Sequence, residues 1–126
     1  MKHLMLRGLV VGPVSTNCYF FAKIRIQMEI LIVDPGAEPD RIIRAVEQLS
    51  GHPAGILLTH GHYDHMCAVN ELRSHYEIPV YAAKAEEHLL LDTTENLSAS
   101  WSGNPYTVKA DVYLEHGKYS SWQAFL

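Results

Sequence analysis

The chain has 126 residues, of which 48% are hydrophobic and 19% are charged, and its formal net charge is −4. This composition is typical of a folded globular protein of modest size and excludes a disordered or fibrous chain. The charge offers no broad basic surface to nucleic acid or anionic lipid, and no apolar run approaches the roughly 20 residues of a membrane span. We therefore expect one cytoplasmic domain over residues 1–126 that acts on a small molecule, with neither nucleic acid nor a membrane as partner.

The first third of the chain predicts an antiparallel meander of strands. Three short runs rich in apolar, β-branched or aromatic residues are separated by turn-forming and polar stretches: HLMLRGLVV, NCYFFAKI and MEILIV. The period then changes in DPGAEPDRIIRAVEQLSG, where Pro39 marks a helix start, apolar residues recur on one face, and Gly51 indicates the end. A helix therefore follows the meander.

The segment from Gly55 to Asp92 predicts alternating strands and helices. AGILLT is a short, wholly apolar strand, and apolar residues recur at helical spacing from Met66 to Tyr76 after it. IPVYAA then predicts another strand and KAEEHLLLD another helix, while TVKADVYLEHGKYSSWQAFL allows one or two short strands. We expect an α/β fold with a mixed β-sheet and helices on one face, whose ligand site lies at the carboxyl ends of the strands.

The stretch LLTHGHYDHMCA places three imidazoles and a carboxylate directly behind the AGILLT strand: His60, His62, Asp64 and His65. In an extended segment, residues two apart point the same way at a spacing of roughly 6.6 Å, so His60 and His62 can share one metal ion. In a helix the same two residues would lie on different faces. Asp64 and His65 follow in a turn, and their side chains point to a neighbouring position. Two such ligand pairs predict two adjacent metal ions, an arrangement suited to hydrolysis.

The alternative for this cluster is a set of surface histidines with Asp64 as a helix N-cap. Its position favours function, because ligand sites in α/β sheets lie at the carboxyl ends of strands and Gly61 allows the backbone to approach a ligand closely.

THGHYDH has the His-x-His-x-Asp-His pattern of the metallo-β-lactamase superfamily, which it resembles. Together with VSTNCYFF, ILIVDPGAEPDRI and IPVYAAKAEE, it makes about Val14 to Asp111 similar to the glyoxalase II-like (hydroxyacylglutathione hydrolase-like) members. The resemblance implies the N-terminal half of a four-layer αβ/βα sandwich with a dinuclear zinc site, in which iron or manganese can replace zinc. It also implies hydrolysis of a thioester or related carbonyl by a bridging hydroxide.

Individual roles also follow from the resemblance. His60 and His62 would bind one ion, Asp64 and His65 the other, and Asp64 would act catalytically by holding the nucleophile. Asp34 resembles the buried aspartate that braces the metal loop in the family. The alternative for Asp34 is a plain turn residue before a proline.

The family pattern breaks in the last part of the chain. A third histidine in a TPGHTPGS-like segment, a bridging aspartate and a last histidine have no counterpart, and the likeness fades after about Gly117. We therefore expect a truncated chain with a bare apolar sheet face and fewer metal ligands, so whether it is an active enzyme is open. The rival to the hydrolase hypothesis is an inactive half-domain that self-associates and binds metal weakly. A third hypothesis has two copies complete one site, with His88 or His116 of a neighbour as the added ligand.

Overall fold

The computed structural model describes residues 3–24 and 27–115 of the chain. They form a six-stranded sheet whose strands lie in chain order: β1 (His3–Val11), β2 (Thr16–Ile24), β3 (Met28–Val33), β4 (His52–Leu58), β5 (Val80–Ala83) and β6 (Val112–Leu114). β1, β2 and β3 are antiparallel neighbours, and β3 to β6 run parallel. The predicted meander and the predicted mixed α/β sheet are both confirmed.

Three α-helices connect the parallel strands: α1 (Pro39–Leu49), α2 (Val69–Tyr76) and α3 (Glu87–Leu91). α1 begins with Pro39, where a missing backbone N–H costs nothing, and ends at Ser50 in the left-handed conformation, one residue before the predicted stop at Gly51. The predicted helix KAEEHLLLD is divided between a single 3₁₀ turn, Lys84–Glu86, and α3. None of the helices described is long and apolar enough to cross a membrane.

All the helices contribute to one core on one face of the sheet. The period of two along each strand sends alternate side chains to this face. The core side chains of the central strands are Cys18, Phe20, Ala22, Ile30, Ile32, Ile56, Leu58, Val80 and Ala82, and they pack with Ile42, Val46, Val69, Leu72 and Leu90 from the helices. The opposite face of the β1–β2 hairpin carries exposed apolar side chains: Leu4, Leu6, Val10 and Tyr19. The predicted exposed apolar surface is therefore present on this hairpin.

The topology gathers several chain segments at one edge of the sheet. Because β3, β4 and β5 run parallel, their carboxyl ends lie at the same edge, and Val33 pairs with Leu57 there. β2 runs antiparallel to β3, so β2 begins at that edge. Residues 16, 34 and 59 are thereby brought together, although they are far apart in sequence.

Candidate metal centre

Asp34 is the buried residue on which the site is built. It follows β3 directly, has a φ of 53°, and is 5% exposed. Its Oδ1 accepts a hydrogen bond from the backbone N–H of Thr59 at 2.7 Å. Its Oδ2 accepts from the Thr59 hydroxyl and from His65 Nδ1, the latter at 3.0 Å. With both oxygens occupied, Asp34 braces the segment after β4, which favours the bracing role over that of a plain turn residue.

The same contacts orient two imidazoles. His60 Nδ1 lies 2.9 Å from Thr59 Oγ1, and since that hydroxyl donates to Asp34, its oxygen accepts from His60 Nδ1–H. Both His60 and His65 therefore direct their Nδ1 protons into the Asp34–Thr59 pair and keep Nε2 free for a metal. Their ring centroids are 4.7 Å apart. One ligand atom each from Asp34, His60 and His65 lie within 4.8 Å of one another.

Asp64 lies beside His65 in the short 3₁₀ turn Tyr63–His65. Its Oδ2 accepts a hydrogen bond from the Thr16 hydroxyl at 2.9 Å and lies 3.4 Å from His65 Nε2. Two ligands of one tetrahedral ion, with bonds of about 2.1 Å each, are separated by roughly 3.4 Å. The spacing of Asp64 and His65 therefore fits a shared ion.

The predicted pairing of His62 with His60 on one ion is not tested by the contacts of the site. His62 is half-buried, has extended backbone angles (φ −83°, ψ 152°) and precedes the Tyr63–His65 turn. Among the residues that the structure describes, the group whose ligand atoms lie within 4.8 Å of one another consists of Asp34, His60 and His65, and neither His62 nor Asp64 belongs to it. β4 ends at Leu58, so the strand alternation expected to align His60 with His62 stops before both. That these two histidines bind one ion stays a prediction.

The surroundings of His65 raise its pKa when no metal is bound. The hydrogen bond to Asp34 raises the pKa of His65, burial opposes this rise, and the charges of Asp34 and Asp64 add to it.

The Cys67 thiol near the site is also perturbed. Burial, followed by the charges of Glu71 and Asp64, raises the pKa of this thiol to about 11. Cys67 is thus a thiol at neutral pH and a poor nucleophile.

Two glycines allow close packing of residues 59–65, the segment after β4 that is called the metal loop below. A Cβ on Gly36 would lie 1.7 Å from the Asp64 carbonyl oxygen, and one on Gly61 would lie 2.6 Å from Leu89 Cβ. The Gly61 N–H also donates to Glu86 Oε1 at 3.0 Å. The loop is therefore fixed from the β3 side and from the α3 side.

Several of these contacts are not predicted by the sequence. The sequence assigns no role to Thr16, Thr59 or Glu86, although all three belong to strand or helix ends that the predicted topology brings to one edge.

Two further residues lie at or near the site. Asn17 lines the cleft beside the cluster. Tyr63 is buried, and its N–H donates to the Asn96 carbonyl at 2.8 Å.

The hypothesis of a site shared between copies names His88 and His116 as added ligands. His88 Nε2 lies 3.8 Å from a Glu95 carboxylate oxygen on the exposed surface around α3. His116 lies outside the residues that the structure describes. The shared site stays a prediction.

A cleft of about 440 Å³ opens at this edge of the sheet. Its lining includes Asp34, Thr59, His60, Asp64 and His65 together with the apolar or aromatic side chains of Val14, Tyr19 and Val33. Its volume is in the range of small-molecule sites.

The fold and the site together define an α/β protein that has a candidate metal centre, made of histidine and aspartate side chains, at the carboxyl ends of the parallel strands of a mixed sheet. The chain belongs to the metallo-β-lactamase superfamily, whose model matches residues 11–120.

Individual relatives agree with this assignment. The chain is 36% identical over 111 residues to a probable metallo-hydrolase of Bacillus subtilis, covering 88% of this chain and 51% of the relative. It is 46% identical over 59 residues to a hydroxyacylglutathione hydrolase of Erwinia tasmaniensis, covering 46% of this chain and 23% of the relative. The solved structure of the B3 metallo-β-lactamase BLEG-1 matches with a TM-score of 0.82 and 35% identity, covering 93% of this chain and 56% of that one. The chain thus spans about half the length of the B. subtilis relative and of BLEG-1.

Proposed function

We propose that this chain carries the first metal-binding segment of a metal-dependent hydrolase that cleaves a thioester of the hydroxyacylglutathione type. The observation that carries the proposal is the hydrogen-bonded set in which Asp34 and Thr59 hold Nδ1 of His60 and His65. Free imidazoles on a surface have no need of a buried carboxylate behind them, whereas metal-binding imidazoles commonly have one.

The donor set fits a divalent ion of the zinc type. His60, His65 and Asp64 would hold it, with His62 as a further predicted ligand. Imidazole nitrogen and carboxylate oxygen are ligands that zinc, iron and manganese accept. When bound, such an ion acts as a Lewis acid and lowers the pKa of water to near neutrality.

The chain's own residues then have defined tasks. Asp34 keeps the proton of His65 on Nδ1, and Thr59 does the same for His60, so that both rings offer a lone pair at Nε2. The Asp64 carboxylate accepts a hydrogen bond from the attacking water and orients it toward the substrate carbonyl. The apolar and aromatic lining residues Val14, Tyr19 and Val33 bind the acyl part of the substrate.

The similarity to the E. tasmaniensis hydroxyacylglutathione hydrolase supports a thioester as the substrate class. A cyclic amide is the second candidate, supported by the 35% identity to BLEG-1, a B3 metallo-β-lactamase. Both substrates present a carbonyl to activated water, so the site chemistry is the same and the cleft determines the choice.

Parallel assays test this proposal. The purified chain, loaded with zinc, ferrous iron or manganese, is supplied with a hydroxyacylglutathione thioester and separately with a β-lactam. We expect thioester hydrolysis above the rate of the same metal without protein, with loss of that excess in His60→Ala and in His65→Ala. A rate equal to free metal in every case would overturn the proposed activity of this chain, and preferential β-lactam cleavage would replace the substrate class.

A second candidate function is self-association without catalysis. Leu4 and Leu6 on the β1–β2 hairpin are 53% and 61% exposed and lie on the same face as Val10 and Tyr19. A contiguous apolar surface of this kind promotes association. Under this hypothesis Leu6→Gln lowers the oligomeric mass measured by light scattering, while Leu91→Gln on α3, an equally apolar and 50% exposed control site, leaves it unchanged. A wild-type chain that is monomeric at all concentrations would exclude self-association.

A further inference from the structure

Thr16 makes a contact with the candidate metal centre that the function proposed above does not use. It is the first residue of β2, 8% exposed, and its Oγ1 donates to Asp64 Oδ2 at 2.9 Å across 48 positions of sequence. Thr16 thus gives Asp64 a hydrogen bond from outside the Tyr63–His65 turn, whereas the other close group, His65 Nε2, belongs to the same turn.

The local backbone holds Thr16 in place. The turn before it contains Gly12 and Ser15 in left-handed conformations, with φ of 79° and 54°, and the Ser15 N–H donates to the Gly12 carbonyl at 3.2 Å. The Gly12 N–H in turn donates to Glu38 Oε2 at 3.0 Å. Thr16 then enters the β1–β2 ladder opposite Val11, so its side chain points to the core face. A hydroxyl fixed on a strand is a more rigid donor than one on a free loop.

The contact restrains the Asp64 carboxylate. Its Oδ2 lies between two groups, the Thr16 hydroxyl at 2.9 Å and His65 Nε2 at 3.4 Å. A carboxylate attached through two rotatable bonds would otherwise move among several rotamers and lose entropy when it binds an ion. A hydrogen bond from a buried, strand-held donor removes part of that freedom before the ion arrives.

We propose that Thr16 is a positioning residue that presets the Asp64 carboxylate toward the ion shared with His65. The inference rests on the proposed function, because it requires Asp64 to be a metal ligand. Thr16 also lines the cleft, and in the proposed role it acts through its hydrogen bond to Asp64.

The test measures metal affinity rather than turnover. Zinc affinity is determined by competition with a chromophoric chelator for wild type, Thr16→Val and Thr16→Ser, each shown to be folded by circular dichroism in excess chelator. Thr16→Val keeps the side-chain shape and removes the donor, and loss of such an outer partner typically weakens metal binding about 10- to 100-fold. Thr16→Ser keeps the donor, so we expect an affinity close to that of wild type. Thr107→Val, an exposed site away from the cluster, is the matched control and should match wild type.

A double-mutant cycle separates positioning from general damage to the fold. Thr16→Val is repeated in an Asp64→Ala background, where a positioning role has nothing left to act on. The inference predicts no further loss of affinity there. An equal loss in both backgrounds, or wild-type affinity in Thr16→Val, would overturn the inference while leaving the proposed function intact. A wild-type chain that binds no zinc above the Asp64→Ala level would instead overturn the metal site itself.

Discussion

The Asp34 carboxylate accepts a hydrogen bond from His65 Nδ1 at 3.0 Å, although 31 positions of sequence separate the two residues. The pairing results from the topology, since Asp34 follows β3 and His65 belongs to the turn that follows the parallel neighbour β4. A buried carboxylate behind an imidazole fixes the ring and keeps Nε2 as the outward-facing ligand.

Asp34→Asn is expected to weaken metal binding more than it disturbs the fold. An amide can still accept from the Thr59 N–H, but its NH₂ group cannot accept from His65 Nδ1–H and the Thr59 hydroxyl. Removal of such a partner typically costs about 10- to 100-fold in metal affinity. Isothermal titration with zinc measures this loss. Asp40→Asn on the exposed first turn of α1 is the control, and equal affinities for the two variants would contradict the bracing role.

The stability of the metal-free chain should depend on the protonation of His65. Its folded-state pKa is raised by the hydrogen bond to Asp34, so protonated His65 stabilises the fold below the unfolded pKa of about 6.5. This contribution is lost as the pH rises through the higher folded-state pKa. His65→Asn, which retains a donor near the position of Nδ1 but does not titrate, should therefore be destabilised relative to wild type more at about pH 6 than at about pH 9.

Urea unfolding in excess chelator at several pH values measures this difference. In an Asp34→Asn background, the same comparison should show a smaller dependence on pH, because the main cause of the raised pKa is absent. A disadvantage of His65→Asn that grows with rising pH would contradict the assignment.

Gly36→Ala should destabilise the chain because of steric overlap. The new Cβ would lie 1.7 Å from the Asp64 carbonyl oxygen, a backbone atom that can move only if the metal loop moves with it. Forced overpacking typically costs about 1–3 kcal/mol. Thermal unfolding with Gly103→Ala as control separates this effect from backbone strain, since Gly103 has a φ of 70° but nothing within 4 Å of the position that an alanine Cβ would take. We expect Gly36→Ala to be the less stable variant and to lose zinc affinity as well; equal stability with intact zinc binding would contradict the close packing of this loop.

Metal removal should lower the thermal stability of the wild-type chain. An ion that binds the folded state alone stabilises it by about 2.7 kcal/mol when its free concentration is 100 times Kd. Differential scanning calorimetry with zinc and then with excess chelator should show a fall in Tm for wild type. The fall should be absent in a His60→Ala/His65→Ala double variant. A chelator effect of the same size in both proteins would place the responsible metal elsewhere.

Much of the fold can be predicted because its signals are local. The strands of the meander and α1 each have their own hydrophobic period, and Pro39 and Gly51 mark the helix ends. The strand AGILLT is located correctly: β4 ends at Leu58, and the Tyr63–His65 turn follows His62, which keeps an extended backbone. Hydrophobic period defines the buried part of a strand and carries no information once the chain reaches solvent.

The supporting contacts of the site cannot be predicted in the same way. Thr16 meets Asp64 across 48 positions and Glu86 meets Gly61 across 25, and both contacts depend on which strand ends share an edge of the sheet. Threonine and glutamate are common surface residues, so neither has a distinctive local pattern. Asp34 is a candidate only through the family resemblance, and its burial and three hydrogen-bond donors require coordinates.

The most direct test of the metal centre is the zinc content of the purified chain, measured by elemental analysis for wild type and two double variants. His60→Ala/His65→Ala removes both imidazoles of the cluster at the carboxyl end of β4. His52→Ala/His75→Ala removes two histidines elsewhere, one at the start of β4 and one in α2. We predict bound zinc in wild type and in the second variant and its loss from the first. Equal zinc in both variants, or none in wild type, would contradict a metal site at this edge of the sheet.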